Sequence, residues 1–195
     1  DTEKKRAEII QKLLTSKILS LDTETTGTEP MDAELVGMSF SITENQAFYV
    51  PVPDNREEAL KIVNEFRPVF ENENSLKVGQ NIKYDMIVLE NYGVQVKGAL
   101  FDTMIAHYVL QPELRHGMDY LAEIYLHYQT IHIEELIGPK GKNQKNMRDL
   151  DPKDIYRYAC EDADVTLKLK NVLEKELKEN DAERLFYDIE MPLVP

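Results

Sequence analysis

One cysteine in 195 residues has nothing to pair with, which excludes a disulfide framework and fits a reducing compartment. The four histidines, His107, His116, His127 and His132, are scattered, and with Cys160 alone they offer no zinc-ligand spacing. No apolar run reaches the roughly 20 residues that a membrane-spanning helix needs, and no stretch has the order of a secretory leader. Cations are scarce as well: 23 Lys and Arg against 36 Asp and Glu give a formal net charge of −13. That balance argues against a long basic track, the usual source of affinity for nucleic acid. There is no internal repeat or low-complexity tract. With 42% hydrophobic residues the chain reads as one domain over 1–195, able to fold alone and expected in the cytoplasm.

What the chain does have is acid where a core would exclude it. Lys17-Ile18-Leu19-Ser20-Leu21 has strand character, and Asp22 and Glu24 follow at its end. Residues two apart on a strand point to one face, so the two carboxylates converge at about 6–7 Å. Bare anions that close repel and cost desolvation, which a cation between them offsets; Thr25-Thr26-Gly27 equally allows a plain acidic turn. Asp85 is a second inward acid, on a helix from about Ile82 to Tyr92, where it shares a face with Val88, Leu89 and Tyr92. Asn81 reads either as the N-cap of that helix or as a substrate contact.

Asp162 is the third, on a helical pattern from about Pro152 to Asn180 with Asp151 as N-cap. Ile155, Tyr158, Ala159, Asp162, Val165, Thr166, Leu169 and Leu173 form its inward stripe, whereas Asp154, Arg157, Glu161, Asp164 and Lys168 form the wet face. Asp162 is therefore the acid of Glu161-Asp162-Ala163-Asp164 to assign to chemistry, with Tyr158 one turn earlier; the alternative is a buried Asp bonded to Tyr158. Taken together, the acids and the tyrosine read as a two-metal nuclease site.

In this order the stretches resemble the DEDDy branch of the ribonuclease-H-like 3′→5′ exonucleases. Val78-Gly79-Gln80-Asn81-Ile82-Lys83-Tyr84-Asp85, Phe101-Asp102-Thr103-Met104, Gly141-Lys142-Asn143-Gln144, Tyr158-Ala159-Cys160-Glu161-Asp162 and the terminal Ile189-Glu190-Met191-Pro192-Leu193-Val194-Pro195 are similar to the proofreading domain of family A bacterial DNA polymerases. The likeness covers the chain from about Lys17 onward. Tyr158 marks the tyrosine branch, because the histidine branch carries a His where this chain has Arg157.

The resemblance implies that Asp22, Glu24 and Asp162 hold one divalent ion, that Asp22 bridges to a second, and that Asp85 holds the second largely through water. All-oxygen ligation selects hard cations, here two Mg²⁺ ions with Mn²⁺ able to substitute. Tyr158 would orient the attacking water, since a phenol with an ordinary pKa of about 10 is a poor base near neutrality. The implied activity is two-metal-ion 3′→5′ exonuclease proofreading, removing 5′-nucleotides from the 3′ end of frayed or single-stranded DNA. The implied setting is a monomer of the bacterial nucleoid without a membrane partner, excised from a longer chain whose polymerase domain would follow residue 195. A few nucleotides delivered by an attached polymerase can be held by metals and stacking, which reconciles the acidic charge with a nucleic-acid substrate. The alternatives are a free-standing DEDDy ribonuclease trimming RNA 3′ ends and a catalytically silent structural domain of a polymerase.

Substrate contacts are expected at Thr28, Gln80, Asn81, Tyr84, Arg115, Ile133 and Lys142. Gln80 and Tyr84 flank the second motif and otherwise pack at a strand-to-helix turn. Arg115 falls at a family position that contacts the scissile-side phosphate and otherwise makes a surface ion pair. Lys142 belongs to a basic cluster with Lys140, Lys145 and Arg148, read as a strand contact or as a solvated loop. Thr28 and Ile133 stand where many relatives carry a Leu and a Phe that wedge and stack the terminal bases, a loss of roughly 1–3 kcal/mol per stacked base. His107, His127 and His132 are expected to pack or lie on the surface, and Cys160 to fill core space.

The remaining pattern predicts a helix over about 4–14, strands near 17–22, 35–42 and 46–52, a helix near 56–70 and a strand near 76–79. After the helix near 82–92 come a strand near 96–101, helices near 102–110 and 118–127, a mobile loop around 138–150, and the long helix. Adjacent strands followed by alternating helices and strands read as α/β with a mixed sheet. The resemblance implies the same class, a ribonuclease-H-like mixed five-stranded sheet flanked by helices.

Overall fold

The computed structural model describes residues 2–195. Helix α1 (Glu3–Thr15), capped by the Thr2 hydroxyl, leads into strands β1 (Ile18–Thr25), β2 (Leu35–Thr43) and β3 (Gln46–Pro51). Helix α2 (Arg56–Phe70), strand β4 (Leu76–Gly79), helix α3 (Ile82–Glu90) and strand β5 (Leu100–Asp102) follow. Helices α4 (Thr103–Leu110), α5 (Met118–Leu126), α6 (Ile133–Ile137) and α7 (Pro152–Glu179) complete the main body. The strands form one sheet in the order β3-β2-β1-β4-β5, antiparallel from β3 to β1 and parallel from β1 to β5. The mixed five-stranded α/β sheet is the expected one. No described helix is long and apolar enough to cross a membrane.

Alternation along β1 decides the two layers. Leu19 and Leu21 point to a face packed with Met38, Phe40, Val63, Phe66, Phe70 and Leu89, under α1, α2 and α3. Ser20, Asp22 and Glu24 point the other way, and their ladder partners on β2 are Ser41, Ser39 and Gly37. All three partners are small, so α7 lies close over this part of the sheet, in contact with β1, β2 and β3. Ser20 and Ser39 are fully buried there with no hydrogen-bond partner for either hydroxyl. The ring of Tyr49 lies over Gly37, where an added Cβ would come within 2.3 Å of it. Farther along, α7 buries Leu169 and Leu173 against Val78, Phe101 and Phe186, which form the second core with α5.

The structure departs from the predicted elements in three places. Strand β1 runs on to Thr25, three residues past its expected end, because β-branched Thr23 and Thr25 keep pairing with β2 as far as Leu35, so Glu24 sits inside a strand. The last strand starts only at Leu100, because Gly98 takes a positive φ of 91° and sits where a Cβ would be 2.8 Å from the Ser75 carbonyl. Helix α6 forms just ahead of the predicted loop and a 3₁₀ turn at Met147–Asp149 forms within it, both too short to leave a periodic signal.

Candidate active site

Strand β1 and helix α7 bring Asp22, Glu24 and Asp162 together, with one carboxylate oxygen from each lying within 4.8 Å of the others. Glu24 and Asp162 are only 5% and 4% exposed, so these anions share little water. Among the described residues no Lys or Arg is paired with any of the three. Burial and then Asp162 hold Asp22 well above the usual carboxylate range. Burial, helped by Asp22, Asp162 and Asp85, does the same to Glu24. Burial pushes Asp162 up to about 8 against the hydrogen bond from Tyr158, which lowers it. Glu24 Oε1 is buried without a partner. A converging all-oxygen set with an orphaned acceptor and no internal cation fits a hard divalent ion.

The Tyr158 phenol lies one turn from Asp162, and burial, followed by the charges of Asp162, Glu24 and Asp22, raises its pKa. Asp85 stands apart from the three clustered acids. Its carboxylate accepts the Thr23 N–H at 3.0 Å and the Thr23 hydroxyl at 2.6 Å, and burial with the Asp22 charge holds its pKa well above the usual range.

Asn81 does not cap α3. It adopts a left-handed backbone, φ 60° and ψ 47°, with no side-chain capping bond. The cap comes from Asp102, which accepts the N–H groups of Asn81 and Ile82 at 3.2 and 2.8 Å and those of Met104 and Ile105 at 2.8 and 3.1 Å. One carboxylate therefore starts both α3 and α4. Gln80 donates to the His116 carbonyl at 2.7 Å and accepts from the Thr103 hydroxyl. The Tyr84 hydroxyl donates to the Gly27 carbonyl and shares a hydrogen bond with Thr25, which fixes the turn that follows β1.

A cavity of about 530 Å³ opens over the acids. Asp22, Glu24, Asp85, Tyr158 and Asp162 line it, as do Thr28, Gln80, Asn81, Tyr84 and Ile133. Arg115 and Lys142 are not among the lining residues. The Arg115 guanidinium instead lies 4.8 Å from the Tyr120 ring centre, beside a separate depression. From the basic cluster it is Lys145 that reaches the cavity, with Asn146 and Met147, while Arg148 donates to the Val52 and Leu35 carbonyls. Charge in the sequence marked the loop; which members face inward depends on the 3₁₀ turn. Two wet-face acids are also engaged. Glu161 accepts from the Tyr128 hydroxyl at 2.5 Å and the Ile131 N–H at 2.6 Å, and Asp164 accepts the Asn45 N–H at 2.6 Å. His107 is buried against His116, as a packing residue would be.

The profile of a 3′–5′ exonuclease family matches residues 1–178. DNA polymerase I of Pseudomonas aeruginosa is 38% identical over 197 residues, covering 95% of this chain and 21% of that protein. DNA polymerase I of Borreliella burgdorferi is 34% identical over 188 residues, covering 95% of this chain and 20% of that protein. The chain thus spans about a fifth of the length of these curated relatives. Among solved structures, Brucella melitensis NrnC bound to pGG superposes with a TM-score of 0.74 at 18% identity, over 93% of this chain and 83% of that one. The POL domain of Pol1 from M. smegmatis gives 0.72 at 18% identity, over 97% of this chain and 29% of that one.

Proposed function

Because the chain belongs to the 3′–5′ exonuclease family, we propose that it removes nucleoside 5′-monophosphates from a frayed or single-stranded DNA 3′ end, as the proofreading part of a DNA polymerase. The observation that carries this reading is the cluster of converging carboxylates from β1 and α7, none of them salt-bridged to a Lys or Arg among the described residues, sharing one cavity with Tyr158. The relatives similar over almost the whole chain are DNA polymerases, which supports DNA as substrate and a polymerase domain in the same polypeptide. The domain would span 1–195.

Asp22, Glu24 and Asp162 would hold one Mg²⁺ ion, and Asp22 with Asp85 behind it a second. Bound there, the ions supply the Lewis acidity toward phosphate and water that no Lys or Arg offers. Asp85 would trade its Thr23 hydrogen bonds for that task, or keep them and act through water. Burial and the neighbouring carboxylates raise the Tyr158 pKa and favour its neutral phenol, so its part is to hold the attacking water in line with the phosphorus, not to remove its proton. Thr28, Ile133, Met147, Gln80 and Asn81, which all line the cavity, would flank the terminal nucleotides. Arg115 and Lys142 lie outside it and could meet only a longer strand.

The direct test is incubation of matched 5′-labelled DNA and RNA oligonucleotides with and without Mg²⁺. Stepwise shortening from the 3′ end, with 5′-monophosphates released only when Mg²⁺ is present and DNA cut faster than RNA, is the expected result. Preference for RNA would turn the assignment toward RNA trimming. No shortening of either would point to a structural domain.

A further inference from the structure

Arg148 ties the basic loop to the sheet by hydrogen bonds. Arg148, in the 3₁₀ turn Met147–Asp149, donates from Nη1 to the Val52 carbonyl and from Nη2 to the Leu35 carbonyl, each at 2.6 Å. Both carbonyls lie at the end of the sheet that carries the acids. Leu35 pairs with Thr25, one residue beyond Glu24, and Val52, just after β3, donates its own N–H to the Val36 carbonyl at 2.8 Å. A planar guanidinium spans two backbone segments at once, which the single ammonium of a lysine does less well. Among the described residues no carboxylate pairs with Arg148.

The turn around Arg148 is itself fixed. Asn146 Oδ1 accepts the Arg148 N–H at 2.8 Å, the Asp149 carboxylate accepts the Asn146 N–H at 3.0 Å, and Met147 is buried with Val36, Ile155 and Ala159. On the other side, Lys145 donates its N–H to the Ile137 carbonyl at 2.9 Å. Between these two ties lie the residues that wall the cavity, Lys145, Asn146 and Met147.

We propose that Arg148 is a positioning residue for substrate: by clamping the 3₁₀ turn to the Leu35 and Val52 carbonyls, it holds the Lys145–Met147 wall against the passing strand. It touches no reacting atom. This inference rests on the exonuclease reading, and it adds the side chain that sets strand binding separately from chemistry.

Two substrates separate the effects. A thymidine oligonucleotide must lie along the wall, whereas the nitrophenyl ester of thymidine 5′-phosphate fills only the reacting position. Arg148→Gln should raise KM for the oligonucleotide about tenfold with kcat within about threefold, and leave kcat/KM for the small ester within about threefold. Arg148→Lys should recover part of the KM loss, and carries the test if Arg148→Gln fails to fold. Equal losses on both substrates would overturn the proposal, since Arg148 would then act on the acids or on the fold as a whole. Unchanged KM in both variants would overturn it too. A parent protein that cleaves neither substrate counts against the exonuclease reading, and tryptic cleavage after Lys142 and Lys145 then decides on the clamp. Cleavage well below the melting temperature should be about tenfold faster in Arg148→Gln, and an unchanged rate overturns the clamp.

Discussion

On the exonuclease reading each acid of the cluster would serve a cation at a cost to the fold that holds it, and single substitutions should separate the two effects. In chelator, Asp22→Asn should stabilise the protein by on the order of 1 kcal/mol, because a buried anion repelled by Asp162 is gone. Saturating Mg²⁺ should reverse the order, since the parent gains binding free energy that the variant lacks. A variant less stable than the parent in chelator would contradict the cost assigned to the cluster. In rate, Asp22→Ala and Asp162→Ala should each lose more than ~1,000-fold, and Tyr158→Phe roughly 10- to 1,000-fold with metal still bound; equal losses in all three would remove the orienting role. The same acids set a pH profile. Their folded pKa values are raised above an unfolded value of about 4, so the folded chain keeps protons that the unfolded chain gives up. Their contribution to stability in chelator is therefore complete below about pH 4 and lost as pH rises through their raised folded values, that of Asp162 lying at about 8. Thermal melts across that range should show the decline without Mg²⁺ and its suppression with Mg²⁺; a flat profile in chelator would count against it.

Helices α3 and α4 begin on one carboxylate, so they should fail together. Asp102→Ala removes two N-caps at roughly 0.5–2 kcal/mol each, an expected loss of about 1–4 kcal/mol in urea unfolding, with Asp102→Asn intermediate because one acceptor oxygen remains. A loss below about 0.5 kcal/mol for the alanine variant would mean that solvent caps the helices as well. This joint also marks the limit of what the sequence makes legible. Helical periodicity finds α7 and puts Asp162 on its buried face, and strand alternation puts Asp22 and Glu24 on one side of β1, so the convergence of the three acids follows from local pattern. The conformation of Asn81 does not, because its N–H is held by a residue 21 positions away. Arg148 misleads for a related reason. Among Lys140, Lys142 and Lys145 it reads as a strand contact or part of a solvated loop, and only the chain's return to the sheet shows its guanidinium bound to backbone carbonyls.

For the molecule as a whole, substrate choice should follow from how easily a duplex end opens. If the cavity takes only a few nucleotides of a DNA 3′ end, a paired end must melt first, at about 1.4 kcal/mol per base-pair step, and a mismatched end has already lost part of that. Thr28 and Ile133 line the cavity where larger residues would wedge the end, so Thr28→Leu with Ile133→Phe should speed hydrolysis of paired ends more than of single strands. Both substrates should be measured at one salt concentration, and equal gains would assign the two residues to general binding. The small residues of β2 opposite Asp22 and Ser20, Ser39 and Ser41, bear on something else, the size of the ion admitted. Magnesium holds oxygen at about 2.0–2.1 Å and calcium at about 2.3–2.6 Å. If Ser39 became valine, the added bulk would lift α7 and draw Asp162 away from Asp22, and a competition titration should then show calcium gaining on magnesium. Discrimination between two abundant cations would thus be settled by the radius of side chains that never meet either one.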